Sequence, residues 1–214
     1  MKIIMLISVI CLNWNACTND SPQIAALQAG GTAGGRCEGC EAIYLSPIPF
    51  AQLNWEDTLP DFNEPGPRLV ISGVVYKKDG TPAKDVVIYI YHTNQEGVYL
   101  NRHQEKGWAG RHGYIRGWVK SDEAGRYRFY TLRPAPYPGG TALAHIHPIL
   151  KEPGVNEYWI DEFVFADDPA LTPAALKHQQ ERGGSGVLRP VEKNGILYAT
   201  RDVYLGKNIP GYPQ

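Results

Sequence analysis

The chain has no cluster of lysine or arginine, and 21 basic against 22 acidic residues leave a formal charge of −1. That balance argues against a nucleic acid or an anionic membrane surface as partner. Long apolar runs are also missing. The one near the N-terminus, in MKIIMLISVICLNWNAC, is too short to span a bilayer. Cysteine is scarce, with only Cys11, Cys17, Cys37 and Cys40. A single Cys-x-x-Cys with no second pair at matching spacing argues against a zinc site. No βαβ pattern surrounds it, which argues against a thioredoxin-like redox role. Internal repeats and low-complexity tracts are absent.

What is present favours strands. The 214 residues are 43% hydrophobic, enough for one good core. With 23 glycines and 17 prolines, the chain suits many short strands and turns better than long helices. Tyrosine dominates the aromatics and fits half-buried strands and amphipathic pockets. Lys2 followed by the short apolar run reads as a secretory signal over residues 1–16. Cys17, directly after Asn15-Ala16, resembles a lipoprotein cleavage site at which Cys17 is lipidated, although Trp14 stands where Leu is usual. Plain secretion is the alternative. Either way the expected location is outside the cytoplasm, in the periplasm or cell envelope. Residues 17–36 read as a flexible linker and 37–214 as one domain. With the signal removed and Cys17 lipidated, Cys37 and Cys40 are the remaining thiols, and a local disulfide is expected.

Residues 41–67 lack a sustained period and read as an extended arm over the surface. Regularity begins at LVISGVVY (69–76) and DVVIYIYHT (85–93), expected to pair as a hairpin about Asp79-Gly80. Strand-like runs follow at 113–122, 125–132, 142–150 and 157–167. One short helix is expected, capped by Thr172, with Pro173 at its first position and ended by Gly183-Gly184. GVLRPVE and GILYATRDVYL flank Asn194-Gly195, a strong hairpin turn. The pattern predicts an all-β fold, an antiparallel β-sandwich with long loops.

His145-Ile146-His147 heads an apolar run. On a strand both imidazoles project to one face and Ile146 to the other. Two neutral imidazoles on one rigid face form half of a metal site. Tyr99 lies in the loop after the second strand, and Tyr137 sits between Pro136 and Pro138, which stiffen its backbone. Beside a trivalent cation a phenol can ionise. Two phenolates with two imidazoles would favour Fe(III) over Fe(II) and give no reason to choose zinc.

At these residues the chain resembles the intradiol ring-cleavage dioxygenases, the family containing protocatechuate 3,4-dioxygenase and catechol 1,2-dioxygenase. The matching pieces are SGVVYKKDGTPAKDVVIYIYHTNQEGVY, SDEAGRYRFYTLRPAPYP, AHIH and Phe165-Ala166-Asp167-Asp168-Pro169, in family order, strongest over 69–169. The resemblance implies a prealbumin-like β-sandwich holding one non-haem Fe(III) through Tyr99, Tyr137, His145 and His147. It also implies cleavage of a catechol-type diol with O2 to a cis,cis-muconate-type diacid. Tyr137 would be the ligand displaced by substrate and the acceptor of its proton.

Departures fall on the wall that reads substrate. The family's Arg before the first His is Ala142 here, its Gln is Glu162, and its Trp is Tyr91. Arg133, Arg116, Arg128 and Arg102 are candidates to replace the lost guanidinium. Tyr91, Glu162 and Arg133 are the expected substrate contacts. The expected partners are a small aromatic diol and O2, with a membrane reached only through the lipid anchor and self-association left open. The missing Arg keeps a second reading alive: a metal- or carbohydrate-binding envelope domain without ring cleavage. A structural surface lipoprotein, with these Tyr and His residues only packed, is the third.

Overall fold

A computed structural model describes residues 33–140 and 142–213. The signal peptide, Cys17 and most of the linker lie outside the described residues. Among the described residues, no helix is long and apolar enough to cross a membrane.

The strands are β1 (Glu56–Thr58), β2 (Arg68–Tyr76), β3 (Val87–His92), β4 (Arg116–Lys120), β5 (Arg126–Leu132) and β6 (His145–Lys151). They continue with β7 (Tyr158–Trp159), β8 (Phe163–Phe165), β9 (Val187–Leu188), β10 (Val191–Lys193), β11 (Ile196–Thr200) and β12 (Val203–Tyr204). They form two six-stranded sheets. The first runs β1-β5-β2-β11-β10, with β12 on β2. The second runs β4-β3-β6-β8-β9, with β7 on β6. The long central pairings β2–β5, β3–β4 and β3–β6 are antiparallel, whereas β1–β5, β11–β2, β12–β2 and β8–β9 are parallel. The expected β-sandwich is the observed one.

Leu69 and Ile71 of β2, Ile88 and Ile90 of β3, Phe129 of β5 and Ile146 of β6 are buried between the sheets in the main core. The opposite face of β3 is buried as well. Val87 and Tyr89 pack with Trp118, Ile149 and the segment holding Cys40, Ala42 and Ile43. Strands covered on both sides read as near-continuous apolar runs, as VVIYIY does. The covering segment is more than a surface arm. Cys40–Leu45 form a 3₁₀ turn, Trp118 Nε1 donates to the Ile43 carbonyl at 2.8 Å, and β1 pairs with β5. Cys37 and Cys40 are joined in a disulfide, Cα–Cα 5.7 Å, that closes this turn. Ala33 and Gly34, the end of the stretch read as linker, are docked. Ala33 N donates to Asn156 Oδ1 at 2.7 Å and Gly34 N to the Pro210 carbonyl at 2.7 Å.

The expected 69–76/85–93 hairpin does not form, because β2 and β3 belong to opposite sheets. Asp79-Gly80 does turn the chain: Lys77 N donates to the Thr81 carbonyl, and Gly80 has φ +82°. The returning limb pairs only at Tyr76–Pro82. Asp85, at φ +62°, then redirects it, and Ser121 Oγ accepts from Val86 N at 3.0 Å. A sound local turn thus opens a crossover. The Asn194-Gly195 hairpin forms as expected, with φ +54° and +76° joining β10 to β11. The short helix starts as expected, with Thr172 Oγ1 accepting from Ala175 N, but spans only Pro173–Leu176 and stops well before Gly183-Gly184. A second short helix, Gly107–His112, carries no periodic signal in the sequence.

Candidate metal centre

Strand register builds one wall of the site. Tyr91 on β3 lies opposite His147 on β6, and the β6–β8 register of His145 on Val164 and Ile146 on Phe163 brings Glu162 opposite His147. Tyr91, His147 and Glu162 therefore form a row across three strands, where opposed side chains touch. The Tyr91 ring stacks on His147 at 4.6 Å and, on its other face, on His112 at 3.6 Å with 2° between planes. Tyr89 Oη meets His112 Nδ1 at 2.9 Å. His147 Nδ1 lies 3.2 Å from Glu162 Oε1. Ile146 faces inward and is fully buried, as the alternation required.

Two loops supply the phenols. In the first, Asn94 Oδ1 accepts from Glu96 N and Val98 N, both at 3.0 Å, and presents Tyr99. In the second, Pro136 and Pro138 flank Tyr137. The loops are tied together: Thr93 Oγ1 donates to the Ala135 carbonyl at 2.7 Å and Ala135 N to the Asn94 carbonyl at 3.2 Å. Gly97, at φ +76°, sits where a Cβ would collide with the Pro136 carbonyl oxygen. Asp168, of the Phe165–Pro169 motif, accepts from Ala144 N at 3.0 Å and fixes the start of β6.

Four donor atoms then meet in a closed quadrilateral. Its edges are Tyr99 Oη–Tyr137 Oη 2.7 Å, Tyr137 Oη–His145 Nε2 3.1 Å, His145 Nε2–His147 Nε2 3.1 Å and His147 Nε2–Tyr99 Oη 2.8 Å. Proton counting shows what this needs. His145 Nδ1 faces the Leu143 carbonyl at 2.6 Å and His147 Nδ1 faces a carboxylate. Both partners only accept, so both Nδ1 atoms carry the hydrogen and both Nε2 atoms are bare lone pairs. Two phenol protons remain for four edges. The imidazole–imidazole edge has none, and phenols donating to the imidazoles leave the phenol–phenol edge bare as well. A cation at the centre satisfies all four. Bonds of ~2.0–2.2 Å place adjacent ligands ~2.8–3.4 Å apart, and the observed edges fall in or just below that range. The donor set therefore fits one metal ion. Tyr99, Tyr137, His145 and His147 are all brought together.

Burial raises the Tyr99 and Tyr137 phenol pKa values. It lowers that of His145, and the neighbouring His147 adds to the effect. All three shifts disfavour charge on an ion-free cluster. Burial raises the Glu162 pKa, but the hydrogen bond from His147 leads the effects that bring it below its ordinary value. His145, His147 and Glu162 also form a group of potential ligands. Because Glu162 meets His147 on its Nδ1 side, it serves as the outer partner that orients a ligand.

The arginines expected at substrate are engaged elsewhere. Arg133 forms a two-pronged pair with Asp167 at 2.8 and 2.9 Å. Arg116 bonds Glu105 and two carbonyls, Arg102 pairs with Glu64, and Arg128 with Glu56. Tyr91 and Glu162 do reach the site and line a cleft beside His147. Sequence reasoning missed His112 and His92. His92 shares the inward parity of Ile88 and Ile90, which was a usable signal. Its Nε2 meets Thr131 Oγ1 at 2.7 Å, and that hydroxyl lies 3.0 Å from buried Asp61.

Fold and site together define a β-sandwich in which two phenols and two imidazoles converge on one point. A family model described as Dioxygenase matches residues 49–182. The chain belongs to the intradiol dioxygenase family. Catechol 1,2-dioxygenase 1 of Acinetobacter lwoffii is 34% identical over 68% of this chain and 44% of its own length. Catechol 1,2-dioxygenase 2 of the same organism is 27% identical over 62% and 56%. The chain thus spans about half the length of these curated relatives. The solved catechol 1,2 dioxygenase of Acinetobacter radioresistens shares the fold, with TM-score 0.53 and 19% identity over 78% of this chain and 62% of that one.

Proposed function

We propose that the protein is an exported, non-haem Fe(III)-dependent dioxygenase that cleaves a catechol-type diol between its hydroxylated carbons, with O2, to a cis,cis-muconate-type diacid. The proton-deficient quadrilateral carries this reading. Tyr99, Tyr137, His145 and His147 would hold the ion, and two hard phenolate oxygens favour the ferric state. Bound there, ferric iron would draw charge from the diol and make its ring reactive toward O2. The chain's own part is positional. His145 and His147 are fixed by their Nδ1 hydrogen bonds and by β6. Tyr137 stands on a loop whose Pro136, Pro138, Gly139 and Gly140 are exposed, so its Oη can withdraw and take a hydroxyl proton from the diol. Tyr99 is clamped between the Asn94 loop and Gly113 and stays in place. The Cys37–Cys40 disulfide supports an oxidising compartment, and anchoring through Cys17 remains part of the proposal.

Ala142 at the family's Arg position, with Arg133, Arg116, Arg128 and Arg102 each paired to a carboxylate, favours a second reading, a metal-holding domain without ring cleavage. Oxygen uptake by iron-loaded protein given catechol, hydroxyquinol and protocatechuate separates the two. Uptake with formation of a muconate-type diacid supports the dioxygenase, and coloured protein that consumes no oxygen supports the second.

A further inference from the structure

Cys37, of the Cys37–Cys40 disulfide, lies on the wall of the cleft that also holds Tyr91 and His147. Between the two cysteines Gly39 takes φ +83° and is buried. A Cβ there would come within 2.9 Å of His112 Nε2 and 3.0 Å of the Trp108 ring. Glu41, in the same turn, accepts from Trp108 Nε1. The turn therefore grips the short helix Gly107–His112 at both of these side chains.

His112 passes the contact on. Its ring lies flat on Tyr91 at 3.6 Å, Tyr89 Oη meets its Nδ1 at 2.9 Å, and the other face of Tyr91 stacks on His147 at 4.6 Å. A line of rings thus runs from the disulfide turn to one of the four donors. Gly113, next after the helix, packs on the Tyr99 backbone, where a Cβ would lie 3.0 Å from the Tyr99 carbonyl carbon. Little besides the disulfide fixes the turn itself. Glycine loses more backbone freedom on ordering than any other residue, and the turn has no side-chain cap. Gly35, Arg36 and Glu38 around it are exposed, and Arg111 meets Glu38 only at 3.9 Å in an exposed, weak pair.

We propose that this disulfide is a redox-sensitive brace of the metal centre. Closed, it presses Gly39 on His112 and fixes the Tyr91–His147 stack. Opened by a dithiol, it releases that stack and weakens the hold on iron. The inference rests on the metal reading of the four donors. Cys37 is half-buried on the cleft and Cys40 is 2% exposed, so the reagent's thiolate attacks Cys37 Sγ. The Cys37–Cys40 bond breaks and Cys40 leaves as a thiolate. The reagent's second thiol then displaces Cys37 from the mixed disulfide. Two electrons and two protons pass to the protein, which ends with two thiols, and the reagent ends as a disulfide.

The test compares the parent protein with a Cys37→Ser/Cys40→Ser variant by competition for ferric iron against a chelator. The variant is expected to hold iron about tenfold more weakly, the low end of what losing an outer partner costs, because His147 keeps its Glu162 bond. Parent protein reduced with dithiothreitol while metal-free, and freed of it before iron is added, should match the variant, and reoxidation should restore it. In a His112→Leu background the serine substitutions should cost no more than about twofold, since the line of rings is already cut. A serine variant within about twofold of the parent overturns the proposal and leaves the four-residue centre standing. A full loss that persists in His112→Leu overturns it too, because the effect then bypasses the stack. Hydrogen exchange of metal-free protein reads the brace without iron. Opening the turn should speed exchange over residues 107–113 by about tenfold or more, and unchanged exchange there overturns the proposal whether or not iron binds.

Discussion

Removing the Glu162 carboxylate should loosen the metal without unfolding the sandwich. Glu162 accepts from His147 Nδ1 at 3.2 Å, and this contact decides which imidazole nitrogen is left bare toward the ion. In Glu162→Leu the ring keeps only the Tyr91 and His112 stack, which holds its plane but not its tautomer. Losing such an outer partner costs about 10- to 100-fold in metal affinity, or ~1.4–2.7 kcal/mol. Most of this is hydrogen bonding, because the Glu162 side chain is 46% exposed and water screens its charge. Glu162→Gln keeps an acceptor oxygen in place and should remain within about threefold of the parent protein. The assay is competition for ferric iron against a chelator of known affinity, with circular dichroism as the check on folding. A Leu variant that holds iron as tightly as the parent would refute the orienting role. A Gln variant as weak as the Leu variant would show that charge, not the hydrogen bond, is what matters.

Gly97→Ala should force the two tyrosine loops apart at Pro136 and lower iron affinity. Gly80→Ala, with φ +82° and open space around it, carries the same left-handed penalty of ~1–2 kcal/mol and should leave iron binding unchanged. Burial raises the Asp61 carboxyl from 3.8 to about 6. Its contribution to stability is therefore complete below pH ~4 and lost as pH rises through about 6, leaving a cost of up to ~3 kcal/mol at pH 7. Asp61→Asn, whose amide can donate to Thr131 and accept from Leu132 N, should raise the melting temperature at pH 7, with the gain shrinking at pH 4. A gain independent of pH would contradict this. Tyr137→Phe should keep iron but shift its visible absorption and slow turnover, and an unchanged spectrum would tell against Tyr137 as a ligand. His147→Ala should lose iron while remaining folded, because the main core does not include it.

Strand parity alone placed His145 and His147 on one face and Ile146 in the core, because alternation is a local property of the backbone. Tyr99 and Tyr137 were legible only through family resemblance. Each is a lone tyrosine in an irregular loop, and what joins them is the contact at Gly97 and Pro136, far apart in sequence. The Tyr91–His147–Glu162 row required the β3–β6 and β6–β8 registers, which no single segment encodes. The mistaken hairpin has a similar origin. Lys77–Thr81 forms a sound local turn, but the choice of sheet after Asp85 is made by Ser121 and the core. The segment after Cys37 looked like a surface arm because Ala42 and Ile43 follow no regular period, yet a single 3₁₀ turn buries both.

The most direct test of the central claim is a titration of metal-free protein with ferric iron, followed by visible absorption. One equivalent per chain should bind and produce a tyrosinate-to-iron charge-transfer band, and Tyr99→Phe should diminish that band. Protein that stays colourless at saturating iron, or that keeps the full band after both His145 and His147 are replaced by alanine, would contradict the four-residue centre.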